Sequence, residues 1–274
     1  MRPYISSCIL LGLWLSTGQA QLVTFDTLAD YTGNFVEIYD TISGVGGQSN
    51  MSFDSANQRI TLTPVSTPLP HQGLARYAPG GLPGPNYLTE TLEADAIITG
   101  GTGLPRITLL ARIQGSGFGV SAFLFRNAVD FHFGLAYDVD TATPSFGTTF
   151  WSATLNPLTG GLTPDPGFSG GSSVAGTPTH LLLTQTSGSD PVFNLTLTNS
   201  SGFVASTGNV ALTATEAYNL GGGIGFGLSS QVAPVGLDNF QILSVPEPSS
   251  LGLGGLGLIL LYGWTARLKR LSSR

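Results

Sequence analysis

Apolar and polar residues alternate along much of this chain, with the period of two that belongs to half-buried strands. Arg59-Ile60-Thr61-Leu62-Thr63-Pro64 alternates polar and apolar positions. From Tyr87 to Ile98, one parity carries Leu88, Leu92, Ala94, Ala96 and Ile98. Two further strands are predicted at Arg106 to Ile113 and Gly119 to Arg126. Between Val129 and Val139, one face carries Val129, Phe131, Phe133, Leu135 and Tyr137, and the other Asp130, His132 and Asp138. Leu181 to Thr186, Val192 to Thr198 and Gly202 to Val204 read as a strand and a hairpin, with Asn199-Ser200-Ser201-Gly202 as its turn. Gly223 to Leu228 and Gly236 to Leu243 are the last two strands. No stretch has a sustained helical period. Thr213 to Asn219 could form a single turn, capped by Thr213 with Glu216 three residues on. Residues 64–85 and 157–178 are rich in Pro and Gly and read as long loops. Many strands with few helices predict an all-β, two-sheet antiparallel sandwich.

The two ends break this pattern. Met1 and Arg2 precede an apolar stretch from Ile5 to Leu15, too short to span a bilayer. Small residues follow at Gly18 and Ala20, which predicts a signal peptide over residues 1–20, cut by signal peptidase before Gln21. The single cysteine, Cys8, lies inside that segment, so the mature chain has no thiol chemistry. At the other end, Ser-Val-Pro-Glu-Pro-Ser-Ser is followed by a charge-free run from Leu251 to Trp264, and then by Arg267, Lys269, Arg270 and Arg274. The run, taken as 251–266, approaches the length of a transmembrane helix, and Tyr262 and Trp264 suit an interface. The basic cluster would remain cytoplasmic, with the β domain outside. Three segments result: a signal peptide at 1–20, a sandwich domain at 21–243 and a sorting or anchor segment at 244–274.

Composition narrows the function classes. Charged residues make up only 9% of the chain, against about 25% in ordinary soluble domains. Between Gln21 and Ser244 there are five arginines, no lysine and fifteen acidic residues, a balance of −10. Such a domain is a poor partner for nucleic acid, whose phosphates need cations. A neutral glycan, a divalent cation or a basic partner stays open, as does a charge that only maintains solubility.

The tripartite C-terminus resembles the PEP-CTERM sorting signal of Gram-negative, polysaccharide-producing bacteria. The residues that carry the likeness are Val245-Pro246-Glu247-Pro248, the apolar run and the basic tail. The resemblance implies an exosortase substrate, held in the membrane by its tail and then released to the cell surface or extracellular matrix. An ordinary anchor with a proline-bearing hinge would also satisfy the apolar and basic parts. The segment Gly223-Ile224-Gly225-Phe226-Gly227-Leu228 through Gly236 to Ile242 is similar to the last hairpin of concanavalin A-like (laminin-G-like) jelly rolls. That likeness implies a curved jelly roll that could bind exopolysaccharide.

Candidate chemistry is sparse. Glu93 and Asp95 alternate on one strand, as the two carboxylates of a retaining glycosidase would, about 5 Å apart. The β-glucanases of this fold add a third carboxylate, but here Ile97, Ile98 and Thr99 follow. No catalytic residue is assigned, and the chain reads as a non-enzyme, with a secreted glycoside hydrolase or a purely structural matrix protein as alternatives. Asp138 with Asp140 offers hard oxygen ligands, and the jelly-roll resemblance implies Asp26 with Asp238 as a pair for structural Ca2+. Trp151, beside a long Gly-Pro loop, is the candidate exposed aromatic for stacking on a sugar.

Overall fold

The computed structural model describes residues 21–41, 51–64, 71–81, 87–100, 103–114, 119–137, 147–213 and 220–243. The signal segment, Asp138, Asp140, the 213–219 turn beyond Thr213 and the whole tail from Ser244 lie outside the described residues. The chain divides into two units, Ala20–Ser244 and a pair of terminal segments, Met1–Gln19 with Val245–Arg274.

The strands, in chain order, are β1 (Gln21–Val23), β2 (Phe35–Thr41), β3 (Met51–Asp54), β4 (Arg59–Leu62), β5 (His71–Tyr77) and β6 (Thr91–Ile98). They continue as β7 (Arg106–Ile113), β8 (Val120–Asn127), β9 (Asp130–Tyr137), β10 (Thr148–Asn156), β11 (Gly161–Pro164) and β12 (Ser172–Ser173). The last are β13 (His180–Gln185), β14 (Val192–Asn199), β15 (Gly202–Ser206), β16 (Val210–Ala211), β17 (Gly223–Ser230) and β18 (Val235–Leu243). They form two antiparallel sheets. The first has ten strands, in the order β12-β15-β14-β13-β6-β18-β4-β3, with β1 also on β18 and β16 also on β14. The second has eight, in the order β11-β10-β9-β8-β7-β17-β5-β2. The architecture is the expected all-β, two-sheet antiparallel sandwich. No helix among the described residues is long and apolar enough to cross a membrane.

Alternation along each strand aims one parity at the space between the sheets. On β6, Leu92, Ala94 and Ala96 are buried, while Glu93, Asp95 and Ile97 face outward and are half-buried. On β9, Phe131, Phe133 and Leu135 enter the same core. The interior is richest in aromatic rings around Phe226, whose centroid lies 5.0 Å from Phe35 and 6.0 Å from both Phe25 and Phe240. Edge-to-face pairs at such distances add to the burial of the rings.

Several elements differ from the sequence expectation. Residues 64–85 are not one loop, because they contain β5, which lies between β17 and β2. Six of its seven residues are buried, so it shows no alternation. Residues 157–178 contain β11 and β12. A short helix, α1 (Leu28–Asn34), lies where the periodicity predicts no element. Its capping box pairs Thr27 with Asp30: the Thr27 N–H donates to Asp30 Oδ2 at 2.7 Å, and the Asp30 N–H donates to Thr27 Oγ1 at 3.3 Å. Val129 belongs to the β8–β9 turn and is 62% exposed, so that strand begins at Asp130.

Candidate functional site

The outward parity of β6 places Glu93 and Asp95 on the outer face of the ten-stranded sheet. Antiparallel register carries a polar row across four strands: Thr198 opposite His180, His180 opposite Asp95, and Asp95 opposite Asp238. At about 4.8 Å between strands, this row runs roughly 15 Å across the sheet. A shallow groove of about 600 Å³ follows it, lined by these four side chains together with Thr179, Asn199 and Ser200.

His180 is the centre of the row. Its Nδ1 lies 2.8 Å from Asp95 Oδ1 and its Nε2 3.5 Å from Glu93 Oε2. The imidazole therefore sits against both carboxylates that a hydrolase would need to keep free for substrate and water. The second Asp95 oxygen accepts from Asn239 Nδ2 at 2.7 Å. That contact depends on a β-bulge. Pairing of β18 with β6 shifts register between Asp238 and Gln241, and Asn239 has a φ of 50°. A bulge re-aims the side chains it carries, and Asn tolerates the left-handed region better than most residues. The Asn239 N–H also donates to Asp238 Oδ1 at 2.7 Å.

The electrostatics are those of crowded carboxylates. Burial pushes the Asp238 carboxyl above its ordinary range; the Asn239 N–H opposes this, while Asp95 and Asp26 add to it by repulsion. Asp26 itself is exposed and accepts from Thr24 Oγ1 at 2.6 Å. Among the described residues, no three His, Cys, Asp or Glu side chains are arranged to hold a metal ion.

A raised folded-state pKa makes the charged form of Asp238 a burden on the fold. Stability from this group is greatest when it is protonated, and falls as pH rises from the ordinary carboxylate range through the higher folded value. Asp238→Asn is therefore expected to raise the urea midpoint at pH 7, with a gain that shrinks to nothing as the pH falls below about 3.9, the ordinary Asp value. Urea titrations at a series of pH values would check this. A gain that persisted in acid would show that the charge is not the cause.

The sequence reading of Trp151 needs correction. It expected an exposed ring, but Trp151 is 3% exposed on β10, with its ring 5.3 Å from Phe133 in the core. Its indole N–H donates to the Ser169 carbonyl at 3.1 Å. A ring held this way offers no face to a sugar. On the outer face of the eight-stranded sheet, Phe125 and His132 stack on each other at 4.7 Å, 4° from parallel. Arg106 covers Phe123 at 4.3 Å. Each of these two rings, Phe125 and Phe123, thus has one face occupied by a cross-strand neighbour. The residues that sequence reasoning missed are His180, Asn239, Thr198 and Asn199. The outward alternation of Glu93 and Asp95, and Asp238 as a candidate ligand, were the sequence's pointers to the place.

Comparison with known proteins adds two findings. Residues 244–270 match the PEP-CTERM protein-sorting motif. The motif marks an exported protein, anchored at its C-terminus before processing. No curated protein sequence matches the chain. Among solved structures, the fold is similar to the CBM2 module of the evolved Dit protein of Lactobacillus casei BL23 phage J-1, with a TM-score of 0.48 and 11% identity over 84% of this chain and 98% of that one. It is also similar to lectin UEA-II complexed with galactose, at 0.45 and 9% over 82% and 98%. A third is the lectin from Bauhinia forficata in complex with GalNAc, at 0.44 and 13% over 83% and 98%.

Proposed function

We propose that this is a non-enzymatic surface or extracellular-matrix protein. Signal peptidase frees its N-terminus, exosortase removes its C-terminal membrane anchor, and the released sandwich domain binds polysaccharide. The observation that carries the reading is the position of the sorting motif, which begins at residue 244, directly after the last strand of the domain. The binding part is supported by the groove across β14, β13, β6 and β18. Hydroxyl, amide and carboxylate groups line it, the donor and acceptor set that sugar hydroxyls require. With a domain balance of −10, a neutral glycan suits it better than an acidic one. The engagement of His180 with Glu93 and Asp95 favours binding over hydrolysis.

Masses of both ends of the mature protein, measured in envelope and culture-medium fractions, test the sorting reading. The expected result is a chain that begins at Gln21 and ends near Pro246 to Pro248 in the medium. A chain still ending at Arg274 in the membrane would make the tail a permanent anchor. The freed domain is expected to retain neutral glycans of the producing organism, and Asn199→Ala to weaken that retention. Retention of none would leave a purely structural matrix protein.

A further inference from the structure

β1 and β18 run antiparallel, with Gln21 opposite Ile242, Leu22 opposite Gln241 and Val23 opposite Phe240. The points at which the chain enters and leaves the domain are therefore adjacent, at one end of one sheet. On this side β18 has a divided partner: β4 pairs with Val235 to Leu237, and β1 with Phe240 to Ile242. On its other side, β6 pairs with Gln241 to Leu243. The last residues of β18 are thus held from both sides. Val23, Phe240 and Ile242 are all buried, so withdrawing the end of β18 exposes apolar surface as well as backbone.

The sorting motif follows at once. Pro246 is the third residue beyond Leu243, and three extended residues span at most about 10 Å. A peptide recognised in extended form lies along its partner with several residues in contact. A cut near Pro246 to Pro248 leaves almost no free chain on its N-terminal side while β18 is fully paired.

The geometry points to the β1–β18 pairing as a restraint on removal of the tail. The protease engages its site fully only when the end of β18 leaves its place between β1 and β6. The rate of release is then set by local opening of a strand end as well as by recognition of the motif. This inference rests on the reading that the tail is removed at the sorting motif.

The test uses the full chain in its producing organism, followed by pulse-chase as the ratio of tail-bearing to tail-free protein. A flexible linker of about ten Gly and Ser residues, inserted between Leu243 and Ser244, supplies free chain without touching the domain. Tail removal is expected to accelerate about fivefold, as it would when a locally protected segment is made accessible. A second variant, Val23→Thr, puts a hydroxyl beneath β1 and loosens its pairing at unchanged length. It is expected to accelerate removal in the native-length chain and to add nothing in the linker-bearing chain. Equal or slower removal with the linker overturns the restraint and leaves the processing reading intact. If neither chain loses its tail, the processing reading fails and the restraint with it. If Val23→Thr fails to accumulate, the linker chain decides alone.

Discussion

Trp151→Ala is expected to lower the unfolding free energy of the domain by about 3–5 kcal/mol, the range for truncating a large buried aromatic. The ring packs against Phe133 in the core and also holds a loop. Ser169 receives its N–H, and a Cβ built on Gly171 would lie 2.8 Å from Trp151 Cζ2, so the loop backbone rests on the ring. Ser152 reinforces the same attachment, donating to Asp165 Oδ2 at 2.5 Å and accepting from the Asp165 N–H at 3.0 Å. Removing the indole leaves a cavity, an orphaned carbonyl and a loosened loop. Against a typical domain stability of about 5–15 kcal/mol, this is a large fraction. Trp151→Phe keeps part of the packing and loses the hydrogen bond, so a smaller loss of about 1–2 kcal/mol is expected. Urea denaturation of the three proteins gives the ranking. Glycan retention, assayed where each variant is still folded, is expected to be unchanged. A Trp151→Ala protein of native stability that no longer retained glycan would restore the ring as a binding surface.

Trp151 also shows why some features could be read from the chain and others could not. Its neighbourhood in sequence is Gly- and Pro-rich, which suggested a loop and hence exposure. The loop instead folds back on the ring, with Gly171 at a φ of 81°. Alternation revealed β6, β9 and β14, because each has one face in the core and one outside. The same rule missed β5, which is buried on nearly every residue. For the candidate site, alternation was enough to bring Glu93 and Asp95 to one face. It could not supply their partners. His180 meets Asp95 through a register that joins positions 85 residues apart, and Asn239 meets it across 144. The second contact also needs a bulge and a left-handed Asn, neither of which leaves a mark in hydrophobic periodicity. The position of His180 along the chain does not mark it either: what makes it notable is its cross-strand neighbours. The α1 helix is a different case. Thr27 and Asp30 stand three apart and could have been read as a capping box with an acidic partner.

Gly225→Ala is expected to be a severely damaging small substitution, costing more than about 4 kcal/mol or abolishing soluble protein. β17 is an interior strand of the eight-stranded sheet, with β7 on one side and β5 on the other. A Cβ at Gly225 would stand 2.1 Å from the Ala75 carbonyl oxygen and 3.0 Å from its carbonyl carbon, both backbone atoms of β5. Relief requires β17 to move away from β5, breaking a ladder that runs from Gly225 opposite Arg76 to Ser230 opposite His71. It would also displace Phe226, the next residue, from the ring cluster that includes Phe25, Phe35 and Phe240. Gly227, two residues on, provides the comparison. A Cβ there meets Leu74 Cδ2 at 2.3 Å, the far end of a flexible side chain that can rotate aside. Overpacking of that kind costs about 1–3 kcal/mol. Soluble yield and urea midpoints of the two variants should therefore separate them clearly, with Gly227→Ala folded and Gly225→Ala barely so. Equal losses would mean that the close approach of β17 to β5 is not what requires glycine at 225. The Gly-x-Gly-x-Gly run would then owe its place to something other than the packing of its backbone within the sheet.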